Sequence, residues 1–348
     1  MIGQTQSAVL FELKRPLRIL SLKLPPLKSG QVLVQMAYSG ICHTQIHEVE
    51  GNRGQDRFLP HTLGHEGSGI VLEVGPGVQK VKPGDPVVLS WIKGAGLEEA
   101  SAQYESPDGK INSGAISTFM TQAVISENRV VPINKRMPLK EAALLGCAIP
   151  TGAGIIFNTA NVQKGETVAI FGVGGIGLSA VIGAKLRNAG MIIAIDIHDS
   201  KLDLAKKFGA SHTINSKKQE IIPVIQEWTA GRGVNYAVES AGQIQTMEAA
   251  FQSVRTNGGL AILAGNLPFG QKISIDPFDL IKGKRLIGTW GGETQLDRDI
   301  PEYVRHYLEG RLELSKLITH EYSLPEINRA FEDIKKGFVA RAILKLES

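Results

Sequence analysis

Two groups of residues in this chain have types and spacing suited to chemistry. The first is Gly172-Val173-Gly174-Gly175-Ile176-Gly177, a G-x-G-x-x-G run between the β-branched stretch Thr167–Phe171 and the helix-like segment Leu178–Leu186. Asp196 lies 19 residues beyond Gly177, at the end of the next apolar run. Strand, glycine turn, helix and an acid about 20 residues on are the fingerprint of a dinucleotide site. Gly172 permits the tight turn, Gly174 lets the backbone approach a pyrophosphate, and Gly177 lets helix pack against strand. Gly175 and Ile176 open the helix, whose N-terminus offers unpaired N–H donors to phosphate. Asp196 can accept hydrogen bonds from the adenosine ribose hydroxyls and would repel a 2′-phosphate, which favours NAD(H) over its phosphorylated form. Lys201 stands close enough in sequence to help hold that ribose, or is a solvated helix lysine.

The second group is Cys42, Cys147 and the pair His65-Glu66. Two thiolates and one imidazole suit Zn²⁺, and three protein ligands leave an open position for catalysis. No C-x-x-C clamp or H-E-x-x-H helix joins these residues. On residue types alone, two packing cysteines and a surface histidine compete with the metal reading.

The elements that must position these groups fall into two textures. The first third holds short β-type runs such as Gln31–Tyr38, Ile70–Val74 and Pro86–Ser90, the last behind a Lys-Pro-Gly-Asp turn. From about Thr151, strand-like and helix-like runs alternate: Thr167–Phe171, Leu178–Leu186, Met191–Ile195, Lys201–Phe208, Val234–Val238, Leu260–Leu263 and Leu286–Thr289. That alternation implies βαβ units and a parallel sheet. Helix patterns follow near Leu296–Glu309 and Pro325–Lys336, and Arg341–Leu346 reads as a strand that can return to the first domain. At 348 residues the chain predicts two domains.

Composition excludes several functions. The 38 basic and 34 acidic residues give a net charge of +4, spread without a basic run, which argues against nucleic acid as a partner. Two cysteines 105 residues apart exclude a disulfide scaffold and any four-cysteine zinc site, and predict a reducing, cytoplasmic home. No stretch of about 18 apolar residues is present, so no membrane span is expected. Met1–Leu10 lacks the layout of a signal peptide.

The chain resembles the zinc-dependent medium-chain alcohol dehydrogenases. The resemblance rests on Gly40–His47 (GICHTQIH), Gly64–Gly69 (GHEGSG), Val74–Asp85 (VGPGVQKVKPGD), Gly146–Gly152 (GCAIPTG), Phe171–Gly177 (FGVGGIG) and Arg341–Leu344 (RAIL), in family order. It implies an α/β protein with a GroES-like β-rich catalytic domain over 1–150, rejoined by 291–348, and a Rossmann doubly wound parallel sheet over 151–290. A cofactor cleft would lie between them. It implies Cys42, His65 and Cys147 as ligands of one catalytic zinc, with Glu66 as the neighbouring carboxylate. Thr44 would take the alcohol proton and His47 would end the relay. His43 and Arg341 would contact the pyrophosphate, and Thr151 would pack near the nicotinamide. Trp91 and Phe119 fall where the family lines its substrate pocket. The implied reaction is reversible hydride transfer between an alcohol, bound to zinc as its alkoxide, and NAD, giving an aldehyde or ketone. A homo-oligomer, dimer or tetramer, is implied through the Leu286–Trp290 strand.

Three departures stand out. Trp91–Gly114, which in many relatives carries four cysteines for a structural zinc, has none, so no structural zinc is expected and the lobe must be held otherwise. Gln45 replaces the usual acid that orients the zinc-ligating histidine, and changes of this kind alter metal affinity or activity about 10–100-fold. His43 stands where some relatives have arginine, so a looser grip on pyrophosphate is expected. The rival readings are a polyol, sugar or cyclitol dehydrogenase of the same superfamily and, less favoured, a non-catalytic binding or structural relative. Lys93, Glu98 and Glu99 are the charges that would serve a polar substrate.

Overall fold

The fold is described from a computed structural model, covering residues 3–52, 54–337, 339 and 341–346. The chain divides into two compact units, one ending at Cys147 and resuming from Gln295, the other Ala148–Thr294.

In the first unit the strands Gln4–Leu10, Arg18–Lys23, Gln103–Ser106, Gly109–Asn112 and His61–Thr62 close a small barrel. A second sheet is built around Gln31–Ile41, an 11-residue strand. Val32, Val34 and Met36 alternate into the core with no exposed surface. On one side this strand pairs antiparallel with Glu66–Val74, with Ser39 opposite Gly67. On its other side it pairs antiparallel with Ala342–Lys345, with Ile41 opposite Ala342. Pro86–Ser90 then pairs with Glu66–Val74, Ser90 opposite Glu66. The register therefore brings Cys42, His65, Glu66, Trp91 and Arg341 to one end of four neighbouring strands.

The lobe that lacks cysteines is organised by a carboxylate. Glu127 is buried, and its Oε1 accepts hydrogen bonds from the backbone N–H of Gln79 (2.6 Å) and Lys80 (2.7 Å). Its Oε2 accepts from Leu97 N–H (2.7 Å). Burial alone would raise the pKa of Glu127, but these three N–H donors and nearby Lys80 hold it below the usual carboxylate range. Beyond it, the hairpin Gln103–Ser106 and Gly109–Asn112 buries Tyr104 and Ile111 in the barrel core.

The second unit carries a six-stranded sheet in which every pairing is parallel. In spatial order the strands are His212–Asn215, Met191–Asp196, Thr167–Phe171, Tyr236–Glu239, Leu260–Leu263 and Arg285–Gly288. Counted along this unit the order is 3-2-1-4-5-6, that of a Rossmann sheet, with its switch point at the Thr167–Phe171 strand. Ala169, Phe171, Ile193, Ile195, Ala237 and Phe251 form its core. Among the described residues, no single helix is long and apolar enough to cross a membrane.

Candidate metal centre and dinucleotide loop

Cys42 caps the helix His43–Val49 immediately after the long strand, His65 precedes the strand Glu66–Val74, and Cys147 follows the turn Ala143–Gly146. That turn is tied to the sheet by Ser90 Oγ, which donates to Gly146 O at 2.7 Å. One donor atom from each of Cys42, His65 and Cys147 lies within 4.8 Å of the other two. Zinc bonds of about 2.0–2.3 Å place tetrahedral donors about 3.3–3.8 Å apart, so a small closure completes a shared sphere. His65 Nε2 is buried without a hydrogen-bond partner. A buried imidazole nitrogen facing two thiols is the donor set a zinc ion satisfies.

Charge is distributed unevenly here. The hydrogen bond from Cys147 and the neighbouring His65 pull the Cys42 thiol well below its ordinary range against the opposing effect of burial. Cys147, on the giving side of that bond and buried, is pushed well above it. Burial disfavours a charged His65, yet the neighbouring Cys42 outweighs burial and raises its pKa. Glu66 has no exposed surface; burial raises its pKa, and the facing Arg341 guanidinium partly offsets this. Arg341 forms a buried ion pair with Glu66 and donates from Nη1 to Ile41 O at 3.2 Å, while its Nε has no partner. Gly40 makes room for the pair: a Cβ there would lie 2.6 Å from Glu66 Cδ and 2.9 Å from Arg341 Nη2.

Gln45 occupies the acid's place with both ends of its amide. Its Oε1 accepts from Cys42 N–H at 2.9 Å, and its Nε2 donates to His65 Nδ1. This fixes the ring plane, but a metal on Nε2 of a neutral imidazole needs the proton on Nδ1, and hence an acceptor beside it. Here the amide turns its oxygen to Cys42 N–H and its nitrogen to the ring, whereas a carboxylate would present an acceptor oxygen to each. Gln45→Glu is therefore expected to tighten zinc binding about 10–100-fold, measured by competition with a chromophoric chelator.

Thr44 Oγ1 stands 3.6 Å from Cys42 Sγ. His47, three residues on and so on the same helix face, is exposed, and its Nδ1 accepts from Asn52 Nδ2 at 3.0 Å. His43 is the exposed first residue of that helix. Trp91 is half-buried, and its carbonyl accepts from Arg129 Nη1. Phe119 differs from expectation. It has no exposed surface and sits in the core with its ring 6.3 Å from that of Phe331. A side chain enclosed on every side packs the domain and cannot line a substrate pocket. Lys93 and Glu98, both exposed, pair with each other at 2.6 Å.

In the second unit, Gly172 has φ +82, a left-handed conformation, and a Cβ there would lie 2.8 Å from Ala241 Cβ. At Gly177 a Cβ would lie 1.9 Å from Gly172 O, so only glycine lets the helix Gly175–Leu186 sit this close to its strand. A Cβ at Gly174 would meet nothing within 4 Å, so this part of the loop faces open space in its own unit. Asp196 ends its strand beside the loop. Its Oδ2 accepts from Val173 N–H (3.0 Å), and its Oδ1 accepts from Ile197 N–H (2.8 Å) and His198 N–H (3.0 Å). A carboxylate has about four acceptor positions, so one remains for a hydroxyl. Lys201 is half-buried in the first turn of the helix Asp199–Phe208. Thr151 is buried, its Oγ1 without a partner.

Glu239 carried no expectation from the sequence. Fully buried at the end of the strand next to Thr167–Phe171, it accepts from Ala241 N–H (2.9 Å), Gly242 N–H (2.8 Å) and Thr246 Oγ1 (2.8 Å). It braces the turn that abuts Gly172. An acid ending an apolar strand just before Ser-Ala-Gly was its only signal.

Comparison with known proteins agrees with both units. Residues 28–135 match the alcohol dehydrogenase GroES-like domain family, and residues 175–309 the zinc-binding dehydrogenase family. The chain is 35% identical to S-(hydroxymethyl)glutathione dehydrogenase of Synechocystis sp., covering 98% of this chain and 99% of that one. It is 33% identical to the Escherichia coli enzyme described in the same words, covering 98% and 100%. Among solved structures, benzyl alcohol dehydrogenase from Acinetobacter calcoaceticus superposes with a TM-score of 0.91 at 31% identity, covering 99% of this chain and 100% of that one.

Proposed function

Because the chain belongs to the zinc-dependent medium-chain alcohol dehydrogenases, and is thus an NAD-dependent enzyme that reversibly oxidises alcohols, we propose that Cys42, His65 and Cys147 hold its catalytic zinc. The observation that carries this is the gathering of two sulfurs and an unpartnered buried imidazole nitrogen from three distant segments. When bound, the zinc supplies Lewis acidity, which acidifies an alcohol hydroxyl and polarises a carbonyl.

The chain's own residues then divide the remaining work. Thr44, beside Cys42, receives the hydroxyl proton at Oγ1. His47, one turn along the same helix and exposed, exchanges it with solvent. The Glu66–Arg341 pair sets a dry, ordered wall behind the ligands, and the unused Nε of Arg341 leaves it a donor for a phosphate oxygen. The backbone of Gly172, Gly174, Gly175, Ile176 and Gly177 admits the pyrophosphate of NAD(H), assisted by His43. Asp196 and Lys201 hold the adenosine ribose, and Thr151 packs beside the nicotinamide. Trp91 supplies an apolar wall for the substrate. The catalytic zinc is the one expected from this donor set, with the lobe at 91–114 organised without metal by Glu127. Use of thiols as ligands suits a reducing, cytoplasmic setting. The edge strand Arg285–Gly288, with exposed Ile281 and Trp290 nearby, suits sheet extension into a homo-oligomer.

The substrate class is primary alcohols with an apolar or aromatic substituent, with the aldehyde as product. The likeness to benzyl alcohol dehydrogenase supports this, as do Trp91 and the mutual pairing of Lys93 and Glu98. The likeness to S-(hydroxymethyl)glutathione dehydrogenases favours a second substrate, a hydroxymethyl thioether. The test is NADH formation by the purified enzyme with benzyl alcohol, S-(hydroxymethyl)glutathione and a polyol such as sorbitol. Burying a phenyl ring is worth about 1.5–3 kcal/mol. Benzyl alcohol should therefore exceed sorbitol in kcat/KM by roughly 10–100-fold. A faster rate with sorbitol would return the reading to polyol dehydrogenation.

A further inference from the structure

We propose that Glu48, Asp56 and His61 form a second divalent-cation site, made of two carboxylates and one imidazole and separate from the cysteine centre. One ligand atom from each lies within 4.8 Å of the others. The group is substantially enclosed, with side-chain exposures of 29% for Glu48, 13% for Asp56 and 7% for His61.

Both nitrogens of the His61 imidazole face oxygen acceptors. His61 Nδ1 lies 2.9 Å from the carbonyl oxygen of Thr62, and a carbonyl can only accept, so Nδ1 carries a proton. His61 Nε2 then lies 2.7 Å from Asp56 Oδ2 and 4.0 Å from Glu48 Oε1. A neutral ring with its proton on Nδ1 would turn a lone pair on Nε2 toward these carboxylates. The arrangement therefore needs a positive centre between Nε2 and the oxygens, either a second ring proton or a metal ion. Donation from Nδ1 to a backbone carbonyl is also the outer contact that ligating histidines make.

The carboxylates are placed for the same role. Asp56 Oδ1 is held by Phe58 N–H at 2.9 Å, which aims Oδ2 at the ring. Glu48 comes from the helix His43–Val49 and His61 from the strand His61–Thr62, which pairs with Gln4–Leu10. Bonds of about 2.1 Å require donors about 3.4 Å apart. The observed 2.7 and 4.0 Å bracket that value, so shifts of about 0.6–0.7 Å bring both to it. Two carboxylates and a neutral imidazole match the charge of a divalent ion, and mixed oxygen and nitrogen donors suit Zn²⁺ or another first-row cation rather than Ca²⁺. Binding displaces the proton on Nε2 to solvent and leaves the ion bridging helix and barrel.

The test is zinc content per chain of the purified enzyme after equilibration with micromolar free Zn²⁺, for wild type, Asp56→Asn and His61→Ala. Asp56→Asn keeps the side-chain shape if His61→Ala disturbs folding. The proposal expects two ions per chain in the wild type and one in each variant, with the second ion bound at least tenfold more weakly. Alcohol turnover should stay at the wild-type rate, because the cysteine centre is intact. One ion per chain in the wild type overturns the proposal, as do two ions in both variants.

Discussion

Cys42→Ala is expected to remove the zinc of the cysteine centre, one ion fewer per chain than wild type, and to cut alcohol turnover at least about 10³-fold. With Cys42 gone, His65 and Cys147 remain, two ligands where a catalytic zinc needs three. Cys42 is also the more acidic of the two thiols, because Cys147 donates to it and His65 stands beside it. Its loss removes the group best prepared to be a thiolate. Lewis-acid activation supplies several kcal/mol of transition-state stabilisation, and each 1.36 kcal/mol is a factor of ten. Metal analysis and NADH-linked rates on the same preparation check the result. A variant that keeps both full zinc and full rate refutes the ligand assignment.

The second large effect is on stability. Arg341→Leu should destabilise the first unit by about 3–5 kcal/mol, since it leaves Glu66 charged, buried and without its partner. In a unit of this size that corresponds to a fall in Tm of roughly 10 °C. Arg341→Lys should recover only part of the loss. A lysine keeps the charge but cannot span Glu66 and the carbonyl of Ile41 with one planar fork. The double variant Glu66→Leu with Arg341→Leu should be more stable than Arg341→Leu alone, because no buried charge remains uncompensated. Thermal unfolding monitored by circular dichroism separates the three. Equal melting temperatures for Arg341→Leu and wild type would show that the pair contributes nothing.

Much of this architecture was legible in the sequence because its signals are local. Thr167–Phe171, Pro86–Ser90 and Leu260–Leu263 are strands with the expected bounds, each a short apolar run between turn residues. The glycine loop and Asp196 were readable because turn, close approach and strand end each dictate a residue type. The two-residue strand His61–Thr62 and the four-residue strand His320–Ser323 were not, since neither is long enough to show alternation. The partner of Arg341 was also hidden. Glu66 lies 275 positions away, and only the antiparallel pairing of Ala342–Lys345 with Gln31–Ile41 brings the two together. Phe119 misled because an aromatic residue gives the same sequence signal in a core as on a pocket wall. Glu127 drew no notice either, as a single acid gives no hint that three backbone donors from two other segments converge on it.

That last carboxylate changes how the enzyme should respond to chemical insult. A lobe clamped by four thiolates around a metal comes apart under chelators and peroxide alike. A loop pinned by Glu127 contains nothing for either reagent to attack. Stripping the catalytic ion should therefore leave a silent but folded apoenzyme, and returning zinc should revive it without a refolding step.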